Sequence, residues 1–216
     1  MEAITTIAGI AAPLPINNLD TDQIMPKQFL RGIDKAGLDK GLLYDLRCYP
    51  DGTLRSDFLL NRPAFTGTRV LVGGPNFGCG SSHEHAVWGL LQYGIQAVVA
   101  PSFGEIFYSN AMNNRLLVVK VSDADGAALM AFAQAREGAT MEIDIERAVV
   151  RAGGAEYPFL LAPRHRDCFL KGLDMIGATL VQQPAIAAFA ARRAAEHPWS
   201  AHVARTVRNR IDAAVN

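Results

Sequence analysis

Two hydroxyls and two imidazoles, on Ser81, Ser82, His83 and His85, stand directly behind four glycines in "GGPNFGCGSSHEHAVWGLLQYG" (73–94). An apolar helical pattern follows. The stretch is therefore expected to be a loop that becomes a helix at the serines, with Gly94 as the stop. A helix opening on Gly-Ser-Ser presents partnerless backbone N–H groups, two hydroxyls and a positive dipole end. Those groups suit a carboxylate or phosphate, and they would also stabilise a serine alkoxide. A plainer role is capping, because Glu84 stands three residues after Ser81, the spacing of a capping box. The local sequence leaves both roles open.

Other chemistries fit the spacing less well. No lysine follows the last glycine, so the loop is not a P-loop, and GxGxxG is absent. The GxSxG elbow of a serine hydrolase is missing as well. His83 and His85 are two residues apart and would point to different helix faces, which makes them a poor metal pair. Cys79 fits a small buried thiol better than a nucleophile. The three cysteines, Cys48, Cys79 and Cys168, are far apart and form no CxxC pair. Neither a disulfide framework nor a self-contained zinc or iron–sulfur site is expected.

The elements that must position these residues read as α/β. "RVLVGG" (69–74), "IQAVVA" (95–100) and "LLVVKV" (116–121) are short buried strands, and helical patterns separate them. Strand–helix–strand–helix–strand implies right-handed parallel crossovers. "AITTIAGIAAPLP" is expected to start the chain as a hairpin-like segment, with Gly9 and the prolines as breakers. Residues 31–66 are irregular, which inside a compact domain usually signals function. Ser122 can cap a following helix whose Asp123 and Asp125 suit its positive end. "TMEIDIERAVVRAGGAEYPFLL" alternates like a hairpin turning near Gly153 and Gly154. The Ala- and Arg-rich end is helical and broken at Pro198.

The 216 residues fit one domain, or one domain with an appended arm. Twenty-one basic residues balance 21 acidic ones, so no nucleic-acid or anionic membrane partner is implied. No apolar run approaches the length of a membrane span, and the N-terminus lacks a basic region before its apolar residues. A soluble cytoplasmic protein is the expectation.

"NFGCGSSHEHA" (76–86) resembles the N-[FY]-G-x-G-S-S-R-E-H-A signature of the aconitase superfamily's swivelling domain. "NLDTDQIMPKQFL" (18–30) resembles that family's N-x-D-T-D-x-I-x-P motif. "APSFGEIFYSNAMNNRLLVV" (100–119) resembles its F-A-x-I-F-x-x-N-x-x-x-N-x-L-L segment, and "RHRDCFLKGLDMIGATL" (164–180) the end of bacterial 3-isopropylmalate dehydratase small subunits. Four motifs in order cover about residues 1–190 as a swivelling β/β/α domain, which leaves 191–216 as a C-terminal helical extension.

The resemblance implies a hydro-lyase that isomerises 2-isopropylmalate and 3-isopropylmalate through isopropylmaleate, in leucine biosynthesis. Such a reaction needs a Lewis acid for the hydroxyl and a base for a weakly acidic C–H proton. The family's Lewis acid is a [4Fe–4S] cluster held by a large subunit, so this chain binds no cofactor and is inactive without that partner. By the same resemblance Ser81 is the base, Ser82 binds a substrate carboxylate, and Asp22 lies near base and cluster. Arg31 falls in the loop that selects the hydroxy-dicarboxylate substrate. Asp22 as a turn residue and Arg31 as a solvated charge are the plainer alternatives. Glu84 and His85 are read as structural. One departure stands out: His83 occupies the position of the family's carboxylate-gripping arginine. Histidine is shorter, forkless and only partly charged near neutrality. That leaves open a paralogue for another diacid, of methylmalate or citraconate type, or a non-catalytic stabilising partner.

Overall fold

A computed structural model describes residues 2–30, 35–80 and 83–215. It forms two compact units, one running to Asp174 and the other starting at Met175.

The first unit is built on strand β1 (Thr6–Leu14), and the short helices α1 (Thr21–Ile24) and α2 (Tyr44–Arg47) follow it. Next come β2 (Val70–Gly73), α3 (His85–Tyr93), β3 (Ala97–Ala100), α4 (Glu105–Asn113), β4 (Leu117–Lys120) and α5 (Asp123–Ala135). Strands β5 (Thr140–Asp144), β6 (Val149–Ala152) and β7 (Ala155–Pro158) then lead to α6 (Pro163–Leu170). Among the described residues the sheet runs β4-β3-β2-β1-β5-β6-β7.

The sheet changes character at β1. On one side the pairs are parallel, with Leu14 opposite Gly73, Val70 opposite Ala97 and Val99 opposite Val119. On the other side β5 returns antiparallel, Thr6 opposite Asp144. Every residue of β2 and β3 is buried, as continuous Val/Leu/Ala runs require when helices cover both faces. β5 and β6 instead alternate buried and partly exposed positions, the period of a sheet with one wet face. Helix α5 packs on β1 and β2, and α4 packs on β4. Ser122 caps α5 as expected, its hydroxyl accepting from the Asp125 amide at 3.1 Å.

Two expectations fail here. The N-terminal segment is one unbroken strand, not a hairpin. Gly9 does not interrupt it, because the side chain of Arg69 lies where a Cβ would stand, 2.9–3.0 Å away. Helix α3 starts at His85 and not at the serines. Gly94 stops it as predicted, at φ 107°.

The second unit contains α7 (Met175–Leu180), α8 (Gln183–Glu196) and α9 (Val203–Val215), with the break near Pro198 where it was expected. None of its described residues is buried, and Ile186, Phe189, Val203, Val207 and Ile211 are all exposed.

Candidate active site

Parallel strands deliver their loops to one edge, and here three loops zip together beyond the C-terminal ends of β1, β2 and β3. The loop after β2 lies in the middle. On one side the Asn18 amide donates to the Pro75 carbonyl at 2.9 Å, the Gly78 amide to Leu19 at 2.8 Å, and the Thr21 amide to Cys79 at 2.9 Å. On the other side the Phe77 amide donates to Ser102 at 3.0 Å and the Gly104 amide to Phe77 at 2.9 Å. Asn76 bridges both neighbours, donating through its side chain to Asn18 Oδ1 at 2.9 Å and through its amide to Ser102 Oγ at 2.8 Å. Parts of three motifs singled out in the sequence, at 18–22, 76–80 and 102–104, are therefore one hydrogen-bonded assembly.

Glycine is required in it for two separate reasons. Gly78 and Gly80 take φ of +71° and +87°, where L side chains are strained. A Cβ on Gly78 would also run into the Phe107 ring, and one on Gly80 into the carboxylate of Asp20.

Asp20 and Asp22 divide the work of the DTD motif. Asp20 caps α1: its Oδ1 accepts from the Asp22 amide at 2.7 Å, and its own amide donates to Gln23 Oε1 at 3.0 Å. The turn-forming aspartate is thus Asp20, which frees the Asp22 carboxylate for other contacts. Asp22 Oδ2 is 3.3 Å from Lys27 Nζ, and Oδ1 is 3.8 Å from His83 Nδ1. Oδ1 is buried with no hydrogen-bond partner among the described residues. The two side chains stay accessible, Asp22 at 34% and His83 at 40%. The His85 ring lies 6.4 Å from that of His83 and 4.8 Å from that of Trp88. Burial, and then the neighbouring His83, lower the pKa of His85 and favour its neutral form.

Glu84 is structural, but not as the capping-box partner. It stands at the N-cap position of α3 without a capping bond. Its Oε1 accepts from Asn114 Nδ2 at 2.9 Å, and Asn114 Oδ1 accepts from Trp88 Nε1 at 3.0 Å. The Trp88–Asn114–Glu84 chain of hydrogen bonds is a contact that sequence reasoning missed. The signal was available: a half-buried indole N–H needs an acceptor, and Asn114 is the second asparagine of the N-x-x-x-N spacing at 110–114. Ser81, Ser82 and Arg31 lie outside the described residues. Gly80 and His83 border the serines, and Leu30 and Lys35 border the segment that holds Arg31.

Among the described residues no three His, Cys, Asp or Glu side chains converge as a metal-cluster nest would require. Cys48 is buried, and the half-buried Cys79 thiol donates to the Asn18 carbonyl at 3.3 Å. A cleft of about 570 Å³ lined by Phe103, Glu105, Tyr108, Lys120 and Leu160 adjoins the assembly but includes neither Asp22 nor His83.

Comparison with known proteins interprets this assembly. The aconitase C-terminal domain profile matches residues 1–124, and the profile for the C-terminal domain of 3-isopropylmalate dehydratase small subunits matches 175–202. The chain is 59% identical over 207 residues to 3-isopropylmalate dehydratase small subunit 1 of Chromobacterium violaceum, covering 96% of this chain and 98% of that one. The chain belongs to the 3-isopropylmalate dehydratase small-subunit family.

Membership extends over the whole length of such subunits. The Rhodopseudomonas palustris small subunit is 45% identical over 201 residues, covering 93% of this chain and all of its own. The crystal structure of a 3-isopropylmalate dehydratase chain from Methanocaldococcus jannaschii superposes with a TM-score of 0.60 at 25% identity, over 84% of this chain and 98% of that one. The α/β swivelling-domain fold expected from the motifs is the fold of this family. No described helix is long and apolar enough to cross a membrane.

Proposed function

We propose that this chain is the small subunit of a cytoplasmic two-subunit hydro-lyase that interconverts 2-isopropylmalate and 3-isopropylmalate through isopropylmaleate, in leucine biosynthesis. The observation that carries the reading is the docking of 18–22 onto 76–80. It brings the Asp22 carboxylate within 3.8 Å of His83, one residue beyond the two serines.

In this reading the proton leaves the carbon alpha to a carboxylate and moves to Ser81 Oγ, while the hydroxyl leaves the adjacent carbon. Loss of water gives the alkene, and re-addition with the opposite orientation gives the isomer. The [4Fe–4S] cluster of the large subunit supplies the Lewis acidity for the departing hydroxyl. A glycine-rich backbone such as 78–80 lets N–H donors approach a developing oxyanion, which would make a serine oxygen usable as a base. Ser82 and His83 receive substrate carboxylates, and Arg31 contributes to substrate choice. Asp22, with Oδ1 3.8 Å from His83 Nδ1, orients the imidazole. The partial exposure of the Asp22 and His83 side chains fits a site that is completed, and sheltered from water, only when the large subunit shuts over it.

One observation favours a second substrate class. His83 stands where the family carries arginine, and it faces Asp22 rather than presenting a fork to solvent. A smaller diacid of methylmalate or citraconate type would need less reach. Co-expression with the large subunit and anaerobic assay on 2-isopropylmalate and on these diacids decides between the two. The favoured result is turnover of 2-isopropylmalate that Ser81→Ala removes. Turnover confined to the smaller diacids selects the second reading. Turnover indifferent to Ser81→Ala would make the chain a stabilising partner and not a catalytic one.

A further inference from the structure

Trp88 sits on α3 and is engaged on face and edge at once. Lys35 Nζ lies 3.9 Å over the ring. Nε1 donates to Asn114 Oδ1 at 3.0 Å. Asn114 passes that contact on, donating to Glu84 Oε1 at 2.9 Å and to the Asn110 carbonyl at 2.8 Å. Its amide orientation is therefore fixed, oxygen toward the indole and nitrogen toward the carboxylate.

The Lys35 end is tied a second time, to the same helix. Gln92 Nε2 donates to the Lys35 carbonyl, and Gln92 Oε1 accepts from the Leu38 amide at 2.9 Å. Lys35 is the fourth residue after Arg31, and Glu84 the third after Ser81. The chain leaving the substrate-choice segment and the chain leaving the serines thus rest on one indole.

We propose that Trp88 is a positioning residue with two separable arms: the Lys35 arm holds 35–38 and bears on substrate binding, and the Asn114–Glu84 arm holds 83–86 and bears on proton transfer. The assignment of the arms to binding and chemistry rests on the functional reading above; the two-armed anchoring itself does not. Simple packing would give another pattern, with every substitution loosening both ends together.

The test uses the assembled two-subunit enzyme for kinetics and the full chain for amide hydrogen exchange. Asn114→Ala should lower kcat about ten- to a hundredfold, the scale of a slightly misplaced catalytic group, with little change in KM. Exchange should rise at 83–86 and stay unchanged at 35–38. Lys35→Met should raise KM about two- to fivefold, the worth of an exposed cation–π contact, and spare kcat. Exchange should then rise at 35–38 alone. Trp88→Phe keeps a ring face but loses the indole N–H, so it should reproduce Asn114→Ala and not Lys35→Met. The proposal is overturned if Trp88→Phe releases both ends equally, if the Asn114 and Lys35 variants share one kinetic signature, or if exchange matches wild type throughout. Should the wild-type complex turn over none of the diacids, the functional reading fails, while the exchange pattern still decides whether Trp88 holds the two ends apart from each other.

Discussion

The two halves of the sheet, divided by β1, solve different problems with the same backbone. The parallel half buries β2 and β3 on both faces and spends its loops on a single edge, where 18–22, 76–80 and 102–104 interlock. The antiparallel half leaves one face wet and fills it with charge. There Arg151 reaches Glu142, Asp144 and Glu156, and Arg147 meets Glu156 at 2.9 Å. The contrast lies in what a substitution can disturb. In the parallel half a backbone shift is carried straight into Asp22 and His83, whereas in the antiparallel half solvent absorbs it.

The sharpest way to test that contrast is Ser81→Ala in the assembled enzyme. Loss of a catalytic base is expected to cut kcat by about 10²–10⁴-fold, while the thermal midpoint of the isolated chain stays close to wild type. A stability loss with kcat preserved would make Ser81 a structural residue and not the base.

Next in size is a matched pair of glycines, both with positive φ. Gly80→Ala meets the Asp20 carboxylate, whereas Gly154, at φ +83° in the β6–β7 turn, has nothing near its Cβ position. Denaturant unfolding should show Gly80→Ala costing about 1–3 kcal/mol, the range for strained sites. Gly154→Ala should cost only the positive-φ penalty of about 1 kcal/mol. Only the first should impair turnover. Equal losses would mean that the crowding at Gly80 relaxes freely.

A third test is kinetic and severalfold in scale. If His83 grips a carboxylate, His83→Ala should raise KM severalfold and His83→Arg should restore or improve binding, with kcat little changed. A KM indifferent to both substitutions would remove His83 from substrate contact.

The smallest effect belongs to the charged face. Hydrogen bonds from Arg151 and then Arg147 lower the pKa of Glu156, and the Arg147 amide and then Arg151 lower that of Asp144. Carboxylates with depressed folded pKa values contribute stability that is present above about pH 4 and fades as pH falls toward those lower values. Arg151→Met should therefore cause a slight, salt-sensitive fall in melting temperature at neutral pH that vanishes in strong acid, with kcat unchanged. A change in kcat would show that the halves are coupled.

Much of the parallel half was legible because its signals are local. Continuous Val-rich runs ending in glycine give buried strands, and Ser122 with two aspartates gives a helix start. What escaped depended on distant partners. Gly9 looks like a breaker until Arg69, sixty residues away, occupies its missing side chain. Ser81 and Glu84 have capping-box spacing, but Asn114 claims the Glu84 carboxylate and α3 begins later. The DTD motif singled out two aspartates, yet only the bond from the Asp22 amide to Asp20 shows which one turns the chain and which one faces His83. Trp88 looked like one more apolar helix residue, since no local pattern reveals what an indole N–H will find.

The register of β1 also bears on how the polypeptide emerges from the ribosome. Thr6 must find Asp144, and Ile10 must find Thr140, so one edge of the first strand made waits for nearly two-thirds of the chain to be synthesised. Until then a nascent chain that has already paired β1 with β2 carries an open strand edge on β1. Such an edge invites chaperones or a wrong neighbour. Slowing translation ahead of residue 140 should hurt the yield of folded protein more than slowing it afterwards.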